Sequence, residues 1–326
     1  MPRPLIGIGH SMGGNNLVNL SLMHPRLLET LVLIDPVIQR FSSAQGNYAP
    51  AQASAFRRDK WASRAAAAES YKKSKFYQAW DPRVLDLWLK HGLRDLPTQL
   101  YPSTSNVPNT TVPTTTEPNI MPQPPEEKEV TLTTTKHQEV FTFLRPNFPA
   151  SASSSNTPGP DALTTTSTAR NRLTHPDIYP TEHHQGLFYR PEPIITFHNL
   201  PFLRPSVCYI FGSESALSAP EFRADKMAVT GTGVSGSGGA KEGRVKEVLL
   251  EGVGHLIPME RVEETAEICV GWLGAELGMW RVNEERERKE WREVPAEEKI
   301  KLSGKTLELL GALPGMERRQ KRKEKL

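Results

Sequence analysis

Gly9-His10-Ser11-Met12-Gly13 is the stretch that decides the fold of this chain. It lies between an apolar run at 5–8, which predicts a short buried strand, and residues 14–23, whose apolar positions have helical spacing. A Gly-x-Ser-x-Gly sequence at such a junction is typical of a tight turn that holds the serine hydroxyl clear of the backbone. Both flanking glycines are expected where a Cβ would clash between strand and helix. The stretch predicts a nucleophilic Ser11, with an ordinary Gly/Ser turn as the alternative.

A second signal lies near the other end of the chain, around His255. Residues 245–250 predict a strand, residues 262–277 predict a helix, and the sequence Gly-Val-Gly-His-Leu-Ile-Pro lies between them. A histidine on a loop after a strand can reach a serine at the carboxyl edge of the same parallel sheet and accept its proton. His255 is therefore the candidate general base, and the alternative is a solvated loop histidine.

Two carboxylates are candidates for the acid that orients the imidazole. Asp35 ends the apolar strand 31–34, twenty-four residues after Ser11, and Glu214 follows the apolar strand 207–211. Both positions are expected at the carboxyl edge of the sheet, where the acid must lie. Asp35 could instead begin a turn with Pro36, and Glu214 could be a solvent-facing loop residue. The sequence leaves the choice open, including the case in which neither is the acid.

Ser11 in its turn and His255 in its loop resemble the α/β-hydrolase superfamily. Segments 33–38, 80–86, 92–98 and 231–239 further resemble a fungal group of such hydrolases, often peroxisomal and linked to toxin biosynthesis. The resemblance implies an α/β-hydrolase fold, hydrolysis of a carboxylic ester or related acyl bond in a small-molecule substrate, and no cofactor. It also implies that the Met12 N–H is one oxyanion donor.

The position of the serine turn departs from that resemblance. About a hundred residues usually precede this turn in the superfamily, including the loop with the second oxyanion donor, but here only ten precede Ser11. We therefore expect a fold that lacks its N-terminal half-sheet: a truncated gene model, a genuine shorter product or a decayed copy. Loss of one oxyanion donor lowers the rate by about 10²–10³-fold. The alternative function is a catalytically dead remnant or a non-enzymatic binding protein.

The chain is expected to divide into four parts. Residues 1–40 and 201–280 are hydrolase core, 41–200 are a large cap insertion, and 281–326 are a charged helical tail. Within the cap, helices are expected at 52–73 and 81–91 and ordered islands at 130–132 and 140–144. The Thr/Ser/Pro-rich segments 102–128 and 150–169 are expected to be disordered because they bury too little apolar area.

Composition narrows the partners and the compartment. A net charge of +3 is too small to indicate a nucleic-acid partner, and no apolar run approaches the roughly 18 residues of a membrane span. Two cysteines, Cys208 and Cys269, favour a reducing compartment over secretion. No histidine pair has metal-like spacing, so no metal is expected. The sequence Gly-x-Gly-x-x-Gly at 231–236 follows a helical segment rather than a strand, which argues against a nucleotide site.

The tail carries two further patterns. Glu284, Arg288 and Arg292, then Glu297 and Lys301, have the spacing of an exposed helix with ion pairs four residues apart. Lys325-Leu326 match the last two positions of a Ser-Lys-Leu-type peroxisomal address, whereas Glu324 departs from it. The prediction is a cytoplasmic or peroxisomal protein, with a peroxisomal import receptor as a possible partner.

Overall fold

The computed structural model describes residues 3–40, 44–102, 128–146 and 188–311. Within these ranges the strands are β1 (Ile6–His10), β2 (Thr30–Ile34), β3 (Lys60–Trp61), β4 (Leu93–Asp95), β5 (Val130–Leu132), β6 (Arg145–Pro146), β7 (Phe188–Tyr189), β8 (Ser206–Gly212) and β9 (Val245–Leu250). The helices are α1 (Met12–Met23), α2 (Ala44–Phe56), α3 (Arg64–Lys73), α4 (Lys75–Gln78), α5 (Pro82–His91), α6 (Lys136–Phe143), α7 (Glu192–Asn199), α8 (Pro220–Val229), α9 (Ile257–Glu260), α10 (Val262–Glu293) and α11 (Gly304–Gly311).

A four-stranded parallel sheet forms the centre of the fold, in the order β1-β2-β8-β9. The strands that the sequence predicts at 5–8, 31–34, 207–211 and 245–250 are present in this sheet as β1, β2, β8 and β9. Every residue of β2 and β8 is buried, as expected for parallel strands that are covered on both faces. His10 pairs with Ile34, and Ile34 pairs with Ile210. The residues that follow these strands therefore lie at one edge of the sheet.

The apolar core packs around this sheet. Its members include residues from alternate positions of the central strands and from the segments that adjoin them: Val18, Leu31, Leu33, Phe197, Leu200, Val207, Tyr209 and Phe211. Among the described residues β1 pairs with β2 alone. Ile6 and Ile8, both in β1, remain 38% and 51% exposed.

The part of the chain between β2 and β8 includes a second, smaller sheet, with the antiparallel order β3-β5-β4. Our prediction of one helix over 52–73 is wrong, because the chain forms β3 between α2 and α3. Trp61 is buried in β3 and pairs with Val130, and the Ser63 side chain caps the new helix by accepting the Ala66 N–H. The expected helix after Asp81 is confirmed as α5, capped by Asp81 and ending before Gly92.

The chain divides into two compact units, Met1–Trp272 and Leu273–Leu326. In the second unit, the predicted pair Glu284–Arg288 is present at 3.1 Å. The expected continuation of this helix through Glu297 and Lys301 is wrong: α10 ends at Glu293, and Pro295 follows. Proline lacks the N–H that a continued helix requires, and it disfavours helical backbone in the residue before it.

Some predictions fall outside the described residues. These are the disorder expected across most of 102–128 and all of 150–169, and the terminal Glu324-Lys325-Leu326. Among the residues that are described, no helix is long and apolar enough to cross a membrane.

Candidate active site

Ser11 lies in the turn between β1 and α1, with φ 57° and ψ −122°. This positive φ is uncommon for a residue with a side chain, and neighbouring backbone groups hold it. The Ser11 N–H donates to the Ile34 carbonyl at 3.0 Å, and the Ser11 carbonyl accepts the N–H groups of Gly14 and Val37. The turn is therefore fastened to β2 as well as to its own helix, and Ser11 has a fixed position at the edge of the sheet.

The glycines around Ser11 do not share one role. A Cβ on Gly9 would lie 2.7 Å from backbone atoms of Gly13 and Gly14, so strand and helix approach each other too closely for any side chain there. A Cβ on Gly13 would meet nothing within 4 Å, whereas one on Gly14 would lie 2.9 Å from Pro36. The expectation that both flanking glycines avoid a clash is right for Gly9 and wrong for Gly13.

His255 lies in the loop between β9 and α9, with its ring between two other side chains. Its Nε2 is 3.0 Å from Ser11 Oγ, and its Nδ1 is 2.6 Å from Asp35 Oδ2. With the proton on Nδ1, the ring donates to the carboxylate and offers Nε2 as the acceptor for the serine hydroxyl. The three side chains form a continuous hydrogen-bonded series at the carboxyl edge of the sheet.

Asp35 is fully buried, with φ 39°. Its N–H donates to the Ile210 carbonyl at 2.8 Å, which ties the residue to β8. The carboxylate accepts the Ser215 hydroxyl on Oδ2 at 2.5 Å and the Ser218 hydroxyl on Oδ1. Together with the imidazole, these donors compensate for burial of the charge.

Glu214, the alternative acid, has a different environment. It is exposed, and its backbone N–H donates to the Val253 carbonyl at 3.1 Å. In the part of the chain that the structure describes, the carboxylate that contacts the His255 ring is that of Asp35. Glu214 therefore precedes Ser215, whose hydroxyl contacts Asp35, but Asp35 is the carboxylate beside the His255 ring.

Met12 is the first residue of α1. The first N–H groups of a helix have no carbonyl acceptor within the helix, and the helix dipole gives this end a partial positive charge. The Met12 N–H, next to Ser11, can therefore donate to an oxygen that becomes negative when the serine attacks.

Two further ionisable side chains lie in this region, and neither received a role from the sequence. The His10 Nε2–H donates to the His255 carbonyl at 2.8 Å, and burial lowers the pKa of His10. Lys226 in α8 is 1% exposed, and burial lowers its pKa to about 8. Burial therefore favours the uncharged form of both side chains.

Ser218 and Lys226 gave no sequence signal, because serine and lysine at a loop and a helix are common in any protein. The described residues contain no group of three or more His, Cys, Asp or Glu side chains placed to hold a metal ion. The Gly-rich segment at 231–236 follows α8 directly and is not preceded by a strand.

The fold and the site are those expected of an α/β-hydrolase, and the comparisons with known proteins agree with this class. The chain is 37% identical over 334 residues to the type I acyl-CoA thioesterase mpaH of Penicillium roqueforti, covering 100% of this chain and 70% of that protein. It is 39% identical over 300 residues to mpaH' of Penicillium brevicompactum, of which it spans 63% of the length.

A more distant relative is the abhydrolase domain-containing protein ACTT2-2 of Alternaria alternata, 25% identical over 295 residues and covering 90% of this chain and 92% of that protein. No family model matches the chain. The chain belongs to the α/β-hydrolase superfamily, among fungal relatives that include acyl-CoA thioesterases.

Proposed function

We propose that this chain is a serine hydrolase that cleaves a carboxylic ester or a thioester of a small acyl substrate. Ser11 is the nucleophile, His255 the general base, Asp35 the orienting acid and the Met12 N–H an oxyanion donor. The observation that carries the proposal is the unbroken contact from Ser11 Oγ through the His255 ring to the Asp35 carboxylate.

Each group has a defined part in the reaction. The Ser11 oxygen attacks the carbonyl carbon while its proton passes to His255 Nε2, 3.0 Å away. The carbonyl oxygen becomes negative and is stabilised by the Met12 N–H. Asp35 stabilises the imidazolium through Nδ1. The imidazolium then protonates the departing alcohol or thiol, and water hydrolyses the acyl-serine by the same steps.

Apolar side chains of the cap support an acyl substrate. The Asp81 N–H donates to the Met259 carbonyl at 2.8 Å, so the start of α5 lies against the helix that follows the His255 loop. Trp80 precedes Asp81 in sequence, its ring lies 6.0 Å from that of Phe76, and Phe76 is 57% exposed. Exposed aromatic surface next to the loop of the general base suits the hydrocarbon part of an acyl group.

A thioester is the substrate class that the relatives favour, because two of them are named acyl-CoA thioesterases. A thiol, with an ordinary pKa near 8.5, is a better leaving group than an alcohol. We therefore expect acyl-CoA esters to be hydrolysed faster than the corresponding simple alkyl esters.

The test compares wild type with Ser11→Ala. Hydrolysis of acyl-CoA esters of increasing chain length is followed through the released thiol, and the corresponding ethyl esters, followed through the released acid, serve as the oxygen-ester series. We expect Ser11→Ala to lower kcat by at least about 10³-fold and to abolish labelling by a fluorophosphonate probe. Ser74→Ala, at the start of α4, is the control and should keep wild-type turnover.

Equal turnover by wild type and Ser11→Ala would refute the proposal. A wild-type chain that neither turns over substrate nor reacts with the probe would favour the alternative, a catalytically dead or non-enzymatic binding protein.

The compartment in which the chain acts stays a prediction, cytoplasmic or peroxisomal. A fluorescent protein fused upstream of residues 315–326 would test the peroxisomal address. Punctate signal would support it, diffuse signal would contradict it, and Glu324→Ser should turn a diffuse signal punctate.

A further inference from the structure

The loop between β8 and α8 places two hydroxyl groups on the Asp35 carboxylate. Ser215 donates to Oδ2 at 2.5 Å, and Ser218 donates to Oδ1. Both serines are buried, at 7% and 2% exposure. Since His255 also contacts Oδ2, the two hydroxyls fill positions that would otherwise be unsatisfied around a buried charge, where a hydrogen bond is most valuable.

The loop itself fixes the direction of these hydroxyls. The Leu217 N–H donates to Ser215 Oγ at 3.2 Å, which occupies a lone pair of that oxygen and leaves its hydrogen for Asp35. The Ser218 N–H donates to the Ser215 carbonyl at 3.0 Å, and the Ser218 carbonyl accepts Arg223 Nε–H at 3.1 Å. The hydroxyls therefore belong to an ordered turn.

Lys226 stabilises the same turn through its ammonium group. Its ammonium group donates to the Leu217 carbonyl at 3.4 Å and to the Phe222 carbonyl at 3.2 Å, and it lies 5.6 Å from the centre of the Phe211 ring. A buried lysine is expensive for the fold, and the reaction described above has no step for it. Its contact with Leu217, between the two serines, points to a role in holding the loop.

We propose that Ser215 and Ser218 form a hydroxyl clasp, held in place by Lys226, that positions the Asp35 carboxylate for His255. This inference rests on the proposed function, and it assigns positioning residues rather than groups that touch the substrate. Without the clasp, Asp35 can rotate away from Nδ1, and the imidazole loses its orientation toward Ser11.

Two measurable consequences follow. Loss of orientation lowers kcat more than it raises KM, because the substrate does not contact the clasp. Loss of orientation also weakens the hydrogen bond from His255 Nδ1–H to Asp35 Oδ2, so the Nδ1 proton resonance moves upfield or is lost to exchange with water. Among the described residues, the charged or titratable groups placed against the Asp35–His255 pair include His10, the last residue of β1, and Lys226, from α8. Both are unchanged in the serine variants.

The experiment uses the full chain with Ser215→Ala, Ser218→Ala and the double variant, and Ser213→Ala as the matched control. Ser213 lies in the same loop, but its hydroxyl accepts the Gly252 N–H at 2.9 Å instead of contacting Asp35. We expect kcat to fall about 10-fold for each single variant and about 100-fold for the double variant, as one charge-assisted hydrogen bond each. KM should stay within about twofold.

A second readout does not depend on turnover. The Nδ1 proton resonance of His255, followed by NMR at a fixed pH, should move upfield or be lost to exchange in the double variant and stay unchanged in Ser213→Ala. The proposal is refuted if the double variant keeps the wild-type kcat and Nδ1 proton resonance, or if it only lowers Tm. Inactive wild type would instead count against the proposed function, and the Nδ1 proton resonance would still decide on the clasp.

Discussion

Replacing Asp35 by asparagine changes one atom of the site and keeps the shape of the side chain. The carboxylate accepts three donors: the His255 ring, the Ser215 hydroxyl and the Ser218 hydroxyl. An amide has one oxygen that accepts and one nitrogen that only donates. Asparagine therefore cannot accept hydrogen bonds at both the Oδ1 and the Oδ2 positions, as the carboxylate does.

The loss of activity in Asp35→Asn depends on which end of the amide faces His255. If the NH₂ group faces His255 at the 2.6 Å position, Nδ1 must accept, and the ring proton moves to Nε2. Nε2 then cannot take the proton of Ser11. If the oxygen faces His255, the imidazolium still lacks its counter-charge. For a Ser-His-Asp site this change lowers kcat by about 10⁴-fold, which corresponds to about 5 kcal/mol of transition-state stabilisation.

The assay measures kcat and kcat/KM for acyl-CoA hydrolysis in wild type, Asp35→Asn and the control Glu214→Gln. Glu214 is exposed, and we expect its variant to stay within about twofold of wild type, as surface substitutions usually do. Thermal melting of each variant tests whether a loss of activity comes from unfolding. Retention of activity within about 10-fold in Asp35→Asn, or an equal loss in Glu214→Gln, would refute the reasoning and move the acid to Glu214.

The remaining predictions concern the frame of the site. Gly9→Ala should destabilise the fold by about 1–3 kcal/mol, since its Cβ meets backbone at 2.7 Å, whereas Gly13→Ala in helix α1 should be neutral or stabilising by up to about 1 kcal/mol; urea unfolding of both tests this. The pKa of Lys226 is lowered from 10.5 to about 8 in the folded state. As the pH rises, Lys226 therefore loses its proton at a lower pH in the folded state than in the unfolded chain. The unfolding free energy of wild type relative to Lys226→Met should therefore rise by about 2 kcal/mol between pH 7.5 and 9.5, and a fall would contradict the assignment. His10→Phe should lower kcat about 10-fold by leaving the His255 carbonyl unpaired, and His10→Gln, which keeps a donor, should recover most of it; equal losses would point to packing alone.

The sequence by itself determined the parts of this protein that depend on local pattern. The apolar runs at 31–34 and 207–211 are long enough to predict strands buried on both faces, and they form the middle of the sheet. The glycine-serine turn and the histidine loop are each bracketed by a strand and a helix, so their edge of the sheet follows from the direction of parallel strands. These features can be predicted from the sequence because the residues of each element form a recognisable local pattern.

The tertiary structure alone decided what depends on side-chain direction and on distant partners. Asp35 and Glu214 both follow strands at one edge, but the backbone of Asp35, with its N–H on Ile210, directs the carboxylate inward, whereas Glu214 is exposed. Trp61 interrupts a helix-like stretch because Val130, far along the chain, offers a strand to pair with. Ser218 and Lys226 lie near the carboxylate only because a loop folds over it. Such contacts join residues many positions apart, and the energy that fixes them is absent from any local pattern.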